Sequence, residues 1–215
     1  LVVLAATYSV FTLQNKTLAT QEKLASVYQN ARIGMEMMTR DISMAGYNQP
    51  ASAGVTPVDR CSGTTETTAK CVGIKKAAAD EIRFAADVNA NGDTYPGGTA
   101  DSAGEEITYK LYDSDGVRCL GRISKNENNS SADTVAIQPV VEYVDASDSP
   151  AAALSFAYED SSGAATTNLA DIARVKITIR TRAATPDSDY TDPVYNDHYR
   201  RYTLTGYATP RNLKY

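Results

Sequence analysis

Tryptophan is missing altogether from this 215-residue chain, histidine occurs once, and phenylalanine occurs three times. A single histidine, His198, excludes a metal site built on several imidazoles and leaves one candidate base for a histidine-dependent triad. Positive charge is also short: 21 Lys and Arg stand against 26 Asp and Glu, for a net charge of −5. That balance argues against nucleic-acid binding through bulk charge and leaves only a local basic patch to consider. The apolar start of the chain, thirteen residues long, falls short of the roughly 20 that a membrane helix needs. Apolar residues still make up 42% of the chain. That is enough for one large domain, or a domain with an appendage, to bury a core.

Cysteine is scarce too, with three, at 61, 71 and 119. Cys61 and Cys71 enclose a polar stretch with neither helical nor strand periodicity. Two cysteines closing such a loop suggest a disulfide in an oxidising compartment, two free thiols being the alternative. Closing so short a loop would contribute about 2–3 kcal/mol in the chain-entropy model. Zinc would need further ligands at fixed spacing, and Cys119 with His198 do not supply them. Cys119 sits in strand-like Val117-Arg118-Cys119-Leu120 and reads as a buried free thiol.

The N-terminal stretch is the least ordinary part of the sequence. Leu1-Val2-Val3-Leu4-Ala5-Ala6 opens an apolar run that persists through Phe11 and Leu13. It reads as the tail end of a membrane helix whose beginning has been removed; an ordinary buried helix start is the alternative. From Gln14 to Ala45 there is no proline and one glycine, Gly34. Leu24, Val27, Tyr28, Ala31, Met35, Met38, Ile42 and Ala45 follow one another at helical spacing and form one stripe. Leu24, Val27, Tyr28, Ala31, Met35, Met38 and Ile42 are the face expected to meet a core or a partner helix. Packing also explains the methionines better than a cofactor does. Gln29, Arg32, Glu36, Arg40 and Asp41 are placed on the opposite, polar face, with Glu36 and Arg40 an i, i+4 pair. The helix should stop near Gly46, ahead of Pro50. It would then run about 45 residues, near 68 Å at 1.5 Å per residue. Its first half, apolar and then polar all round, should protrude.

After Pro50 alternation of period two takes over. Ile82, Phe84 and Ala86 alternate, as do Ile107, Tyr109 and Leu111, then Leu154, Phe156 and Tyr158, and Val175, Ile177 and Ile179. Asp113 to Gly116 reads as a hairpin turn before a strand at 117–123. A last strand, Arg200 to Ala208, would turn Tyr202 and Leu204 inward. The fold class is α+β: a long N-terminal helix, residues 1–47, packed on an antiparallel sheet with long loops, residues 48–215.

Three helix segments resemble the PilW-like minor pilins of type IV pili: Leu18-Ala19-Thr20-Gln21-Glu22-Lys23-Leu24, Gln29-Asn30-Ala31-Arg32, and Met37-Met38-Thr39-Arg40-Asp41-Ile42-Ser43-Met44-Ala45-Gly46-Tyr47. Glu105 to Tyr109, Leu154 to Tyr158, Ile172 to Ile177 and the closing Pro210-Arg211-Asn212 resemble that family's later blocks in the same order. The helix-end block is the most specific, and the C-terminal Arg-Asn adds to it. The resemblance implies a type IV pilin-like fold and prepilin processing with N-terminal methylation. The cleavage motif and the glutamate after it lie outside the sequence, which begins inside the apolar segment. The J-type minor pseudopilin of type II secretion shares the plan.

Few groups offer chemistry. Asp87, Asn89, Asn91 and Asp93, with Gly92 between the last two, fit the first seven positions of a calcium loop. Alternate oxygens converge there on one hard cation and the glycine permits the turn. The twelfth position is Gly98 instead of glutamate, so Asp101, Glu105 or Glu106 would have to stand in. A loop that binds nothing uses the same residues. Ca2+ is the one cofactor this pattern suggests. Asp113, Asp115 and Gly116 make a poorer version. Glu105 and Glu106 are adjacent on a strand, point to opposite faces and cannot act as a pair. His198 lacks a positioned nucleophile and reads as a surface histidine. The basic and tyrosine-rich C-terminal region would suit single strands of nucleic acid, but balancing the acidic middle of this or a neighbouring subunit explains it better.

The expected function is therefore that of a minor pilin, not an enzyme, which helps initiate or cap a type IV pilus. Its partners would be other minor pilins, the major pilin and, through a preceding apolar helix, the inner membrane. It would move from the inner membrane to a surface fibre, its head in the periplasm or outside. A secretion pseudopilin is the sibling alternative. An adhesin displayed at a fibre tip, binding through the loops at 87–104 and 183–198, is the alternative of another class.

Overall fold

The computed structural model describes residues 2–48, 59–67, 71–88, 105–125 and 137–213. Helix α1 (Val2–Ser43) has 42 residues, about 63 Å at 1.5 Å per residue. It ends where its apolar stripe ends. Gly46 takes a φ of 78°, a left-handed value glycine reaches without steric cost. Its N–H turns away to the Ala85 carbonyl at 3.0 Å. The far end of the chain satisfies two of the carbonyls a helix terminus leaves open. The Arg211 N–H donates to Ser43 at 3.2 Å and the Asn212 amide to Met44 at 3.3 Å. Leu213, 2% exposed, packs beneath Gly46 and Gly73. The helix-end block and the C-terminal Arg-Asn thus form one joint.

The alternating segments pair into two antiparallel sheets. β1 (Gly73–Ala77), β2 (Glu81–Ala85), β3 (Glu106–Ser114), β4 (Val117–Lys125) and β5 (Gln138–Val141) neighbour one another in that order. β6 (Leu154–Glu159), β7 (Arg174–Arg182) and β8 (Arg201–Ala208) form the second sheet. The molecule is α+β, a long N-terminal helix on antiparallel sheet, as its periodicities predict. The predicted single sheet is divided, because β6 begins straight after a one-turn helix, α2 (Pro150–Ala153). Asp115 and Gly116 both have positive φ, at 50° and 79°, the signature of a two-residue I′ hairpin turn. Asp113 accordingly faces Arg118 across the ladder, 3.0 Å from its Nε.

Both sheets bury apolar faces under α1. Val27, Ala31, Met38, Ile42 and Ala45 are at most 1% exposed, and Met35 is 9% exposed. All of these except Val27 join one core with Phe84, Leu120, Val141, Ile177 and Ile179. Leu24 is half-buried at the margin, and Tyr28, largely exposed, sets its ring 4.1 Å from that of Tyr202. The stripe expected to face a partner helix is thus filled mainly by the chain's own sheets, whose apolar faces would otherwise meet water. Asp41 also departs from expectation. It is buried, accepting from the Tyr109 hydroxyl and from Arg122 Nε, each at 2.8 Å. Burial and the Asp41 charge together push the Tyr109 hydroxyl far above its ordinary pKa.

Gly34 lies where the helix passes closest to both sheets. A Cβ there would stand 2.8 Å from Val141, 3.2 Å from Ile179 and 3.3 Å from Leu120. Gly34→Leu should therefore lower unfolding free energy by about 2–3 kcal/mol in urea titration. An unchanged midpoint would show that the helix does not sit this close.

Candidate functional site

Two features remain once the core is accounted for: the outer part of α1 and the loop between β7 and β8. Val3, Leu4, Tyr8, Val10, Phe11, Leu13 and Leu18 are 54–78% exposed. At 3.6 residues per turn they cover most of the circumference of the helix. The hydroxyls among them are turned inward along the backbone. Thr7, Ser9, Thr12 and Thr17 each donate to the carbonyl four residues earlier at 2.8–2.9 Å. Residues 3–13 present a mainly hydrocarbon surface, ahead of the polar Gln14, Asn15 and Lys16. No helix among the described residues is long and apolar enough to cross a membrane.

The helix leaves the head over residues 186–189. Lys16 Nζ lies 3.1 Å from Asp189, and Lys23 Nζ donates to the Pro186 carbonyl at 2.7 Å. Both members of the first pair are 60% exposed, so it contributes at most about 1 kcal/mol. His198 opens onto the same groove, its Nδ1 2.5 Å from the Tyr190 carbonyl oxygen. It is exposed, and no nucleophile is placed beside it among the described residues.

The 183–198 loop is held by a charge network that sequence reasoning missed. Asp145, fully buried, lies 2.9 Å from Arg180 Nε and 2.8 Å from Arg201 Nε. Arg201 reaches on to both oxygens of Asp197 at 2.7 and 2.6 Å, a two-pronged contact that holds this carboxyl down at about 2. Arg180 bonds Asp148 and keeps it well below the usual carboxylate range. The Tyr195 ring lies under both cations, 4.1 Å from Arg201 and 5.2 Å from Arg180. Arg200 pairs with Asp187 at 2.7 Å and stacks on Tyr190, and Arg182 stacks on Tyr199. Arg180, Arg200 and Arg201 are therefore balanced by nearby aspartates, and not by the acidic middle of this chain. The available signal was the interleaving of Asp and Tyr over residues 187–199 together with the doublet Arg200-Arg201.

Of the calcium candidates, Asn89, Asn91 and Asp93 lie outside the described residues, as does Asp101. Asp87 is 1% exposed and its N–H donates to the Tyr47 carbonyl at 2.8 Å. Glu105 accepts from the Val88 N–H at 3.0 Å, whereas Glu106 pairs with buried Lys75 at 2.9 Å. The two glutamates thus have separate partners. Among the described residues no three His, Cys, Asp or Glu side chains come together as metal ligands. Cys61 and Cys71 form the disulfide, with Cα atoms 5.0 Å apart. Cys119 is a buried free thiol whose pKa is raised by burial and by the charges of Glu142 and Asp113.

Removing Asp145 should take from two nearly buried arginines the fully buried carboxylate they share. Asp145→Ala is expected to cost about 3 kcal/mol in denaturant titration, while Asp189→Ala, at the exposed pair, should cost less than about 1 kcal/mol. Equal losses would contradict the network's role.

Compared with protein-family models and with curated protein sequences, the chain matches none. Among solved structures, a type IV-like pilin from Thermus thermophilus resembles it with a TM-score of 0.39 and 11% identity, over 86% of this chain and 97% of that one.

Proposed function

We propose that the chain is a structural subunit of a type IV pilus, a PilW-like minor pilin that helps to start or cap the fibre, and not an enzyme. One observation carries this reading: α1 is sealed into the head over residues 27–42, yet offers an apolar surface round most of its circumference at residues 3–13. A helix surface of this kind is stable only against other apolar surface. In a pilus that surface is supplied by the helices of neighbouring subunits, and before assembly by the inner membrane. The back-bonded hydroxyls suit both settings. The heads then make heterologous contacts with other minor pilins or the major pilin, and such contacts propagate open filaments. The two most specific blocks of the resemblance, at 37–47 and 210–212, meet in one joint and support reading them together. The secretion pseudopilin would use the same surface.

The test replaces Leu4 and Phe11 by glutamate in the full-length protein. The head makes no use of these side chains, so its melting should be unchanged, while surface fibres should be lost. Normal piliation, motility and secretion together would overturn the reading. Lost secretion with intact pili would replace it by the secretion sibling.

A further inference from the structure

Where α1 crosses β8 and the C-terminal turn comes alongside, a groove of about 610 Å³ opens on the head. Its floor is Met35 and Leu204, and Arg32, Arg40 and Arg211 stand around it, with Glu36 the only acid among its lining residues. Two chain segments distant in sequence, α1 and the C-terminal turn, supply these cations. Elsewhere among the described residues arginines are spent internally, on carboxylates, carbonyls or tyrosine rings. Arg40 Nε has only the edge of Asp41, at 3.3 Å, and its side chain stays 69% exposed. Arg32 and Arg211 have neither an ion pair nor a ring among the described residues. In a chain of net charge −5, the two unspent guanidinium groups share one groove.

We infer that this groove docks an extended acidic segment of a partner protein, with an apolar residue between its carboxylates. A guanidinium fork matches a carboxylate through two parallel N–H···O bonds. An extended segment sends every second side chain to the same side, so carboxylates at positions i and i+4 and an apolar group at i+2 face one groove together. Carboxylates reaching Arg32 and Arg211 therefore leave room for an apolar group over Met35 and Leu204. A nucleic acid fits less well. Among the described residues no aromatic ring lines the groove to stack a base, and Glu36 repels a continuous run of phosphates. The groove is separate from the apolar stretch of α1, so the inference stands apart from membership of a filament.

The test uses the purified chain and a labelled synthetic peptide of repeating Glu-Ser-Leu-Ser, which puts glutamate and leucine on the same side of an extended chain, read by fluorescence anisotropy at low salt. Saturable binding is expected. It should weaken roughly tenfold or more in Arg32→Gln/Arg211→Gln and strengthen about two- to threefold in Glu36→Gln. The lysine pair Arg32→Lys/Arg211→Lys, which keeps charge but loses the fork, should fall between. These side chains are exposed, so coincident melting curves confirm folding, and Glu36→Gln gives an independent reading of opposite sign. Absence of binding, or binding indifferent to all the variants, would overturn the inference. So would tighter, arginine-dependent binding of a thymidine oligonucleotide, which would make the occupant a nucleic acid.

Discussion

One constraint governs the molecule: a single helix must be core along one part of its length and surface along another. Over residues 27–42 it closes the gap over two sheets, near enough at Gly34 that no side chain fits between helix and strands. The second sheet buries little unless α1 covers it, since three strands alone make a marginal unit. The joint at Gly46, with Arg211 and Asn212 on the helix-end carbonyls, fixes where the covered part stops. Beyond Lys16 the helix has left the head, and its apolar side chains stay exposed among the described residues.

Polar groups in the interior serve this arrangement. Asp41, Tyr109 and Arg122 tie the buried flank of the helix to β3 and β4. The Thr181 hydroxyl bonds the Val27 carbonyl at 2.9 Å and ties it to β7. Each is costly if left unpaired at such depth, and each is paired in the folded chain. Such contacts fix the helix at one height and rotation, where apolar packing alone would tolerate sliding. The Asp145 network does the same for the β7–β8 loop, on which the exit of the helix rests.

Much of this was legible in the sequence. The 3.6-residue stripe located the buried face, and the positive-φ pair Asp115-Gly116 was announced by an Asp-Gly dipeptide between alternating segments. The polar interior was harder to read. Asp41 sits on the stripe, three residues after Met38 and four before Ala45, yet its charge assigned it to the wrong face. β1 escaped because Lys75 is buried beside Ile74, so no alternation appears. β5 has four residues, including a proline, too few to show a period. Asp145 and Arg201 lie 56 residues apart, and nothing local links them. The face expected to meet a core or a partner helix is covered by the chain's own sheets at Val27, Ala31, Met35, Met38 and Ile42 and stays half open at Leu24 and Tyr28, because periodicity says that a face is buried and not by what.

The division of α1 is tested most directly by amide hydrogen exchange on the isolated subunit. Amides of residues 31–42 should exchange only through global unfolding, while those of residues 6–14 should exchange at least about a hundredfold faster. Equal protection along the whole helix would contradict the account, for it would mean that the outer part is already covered within the single chain.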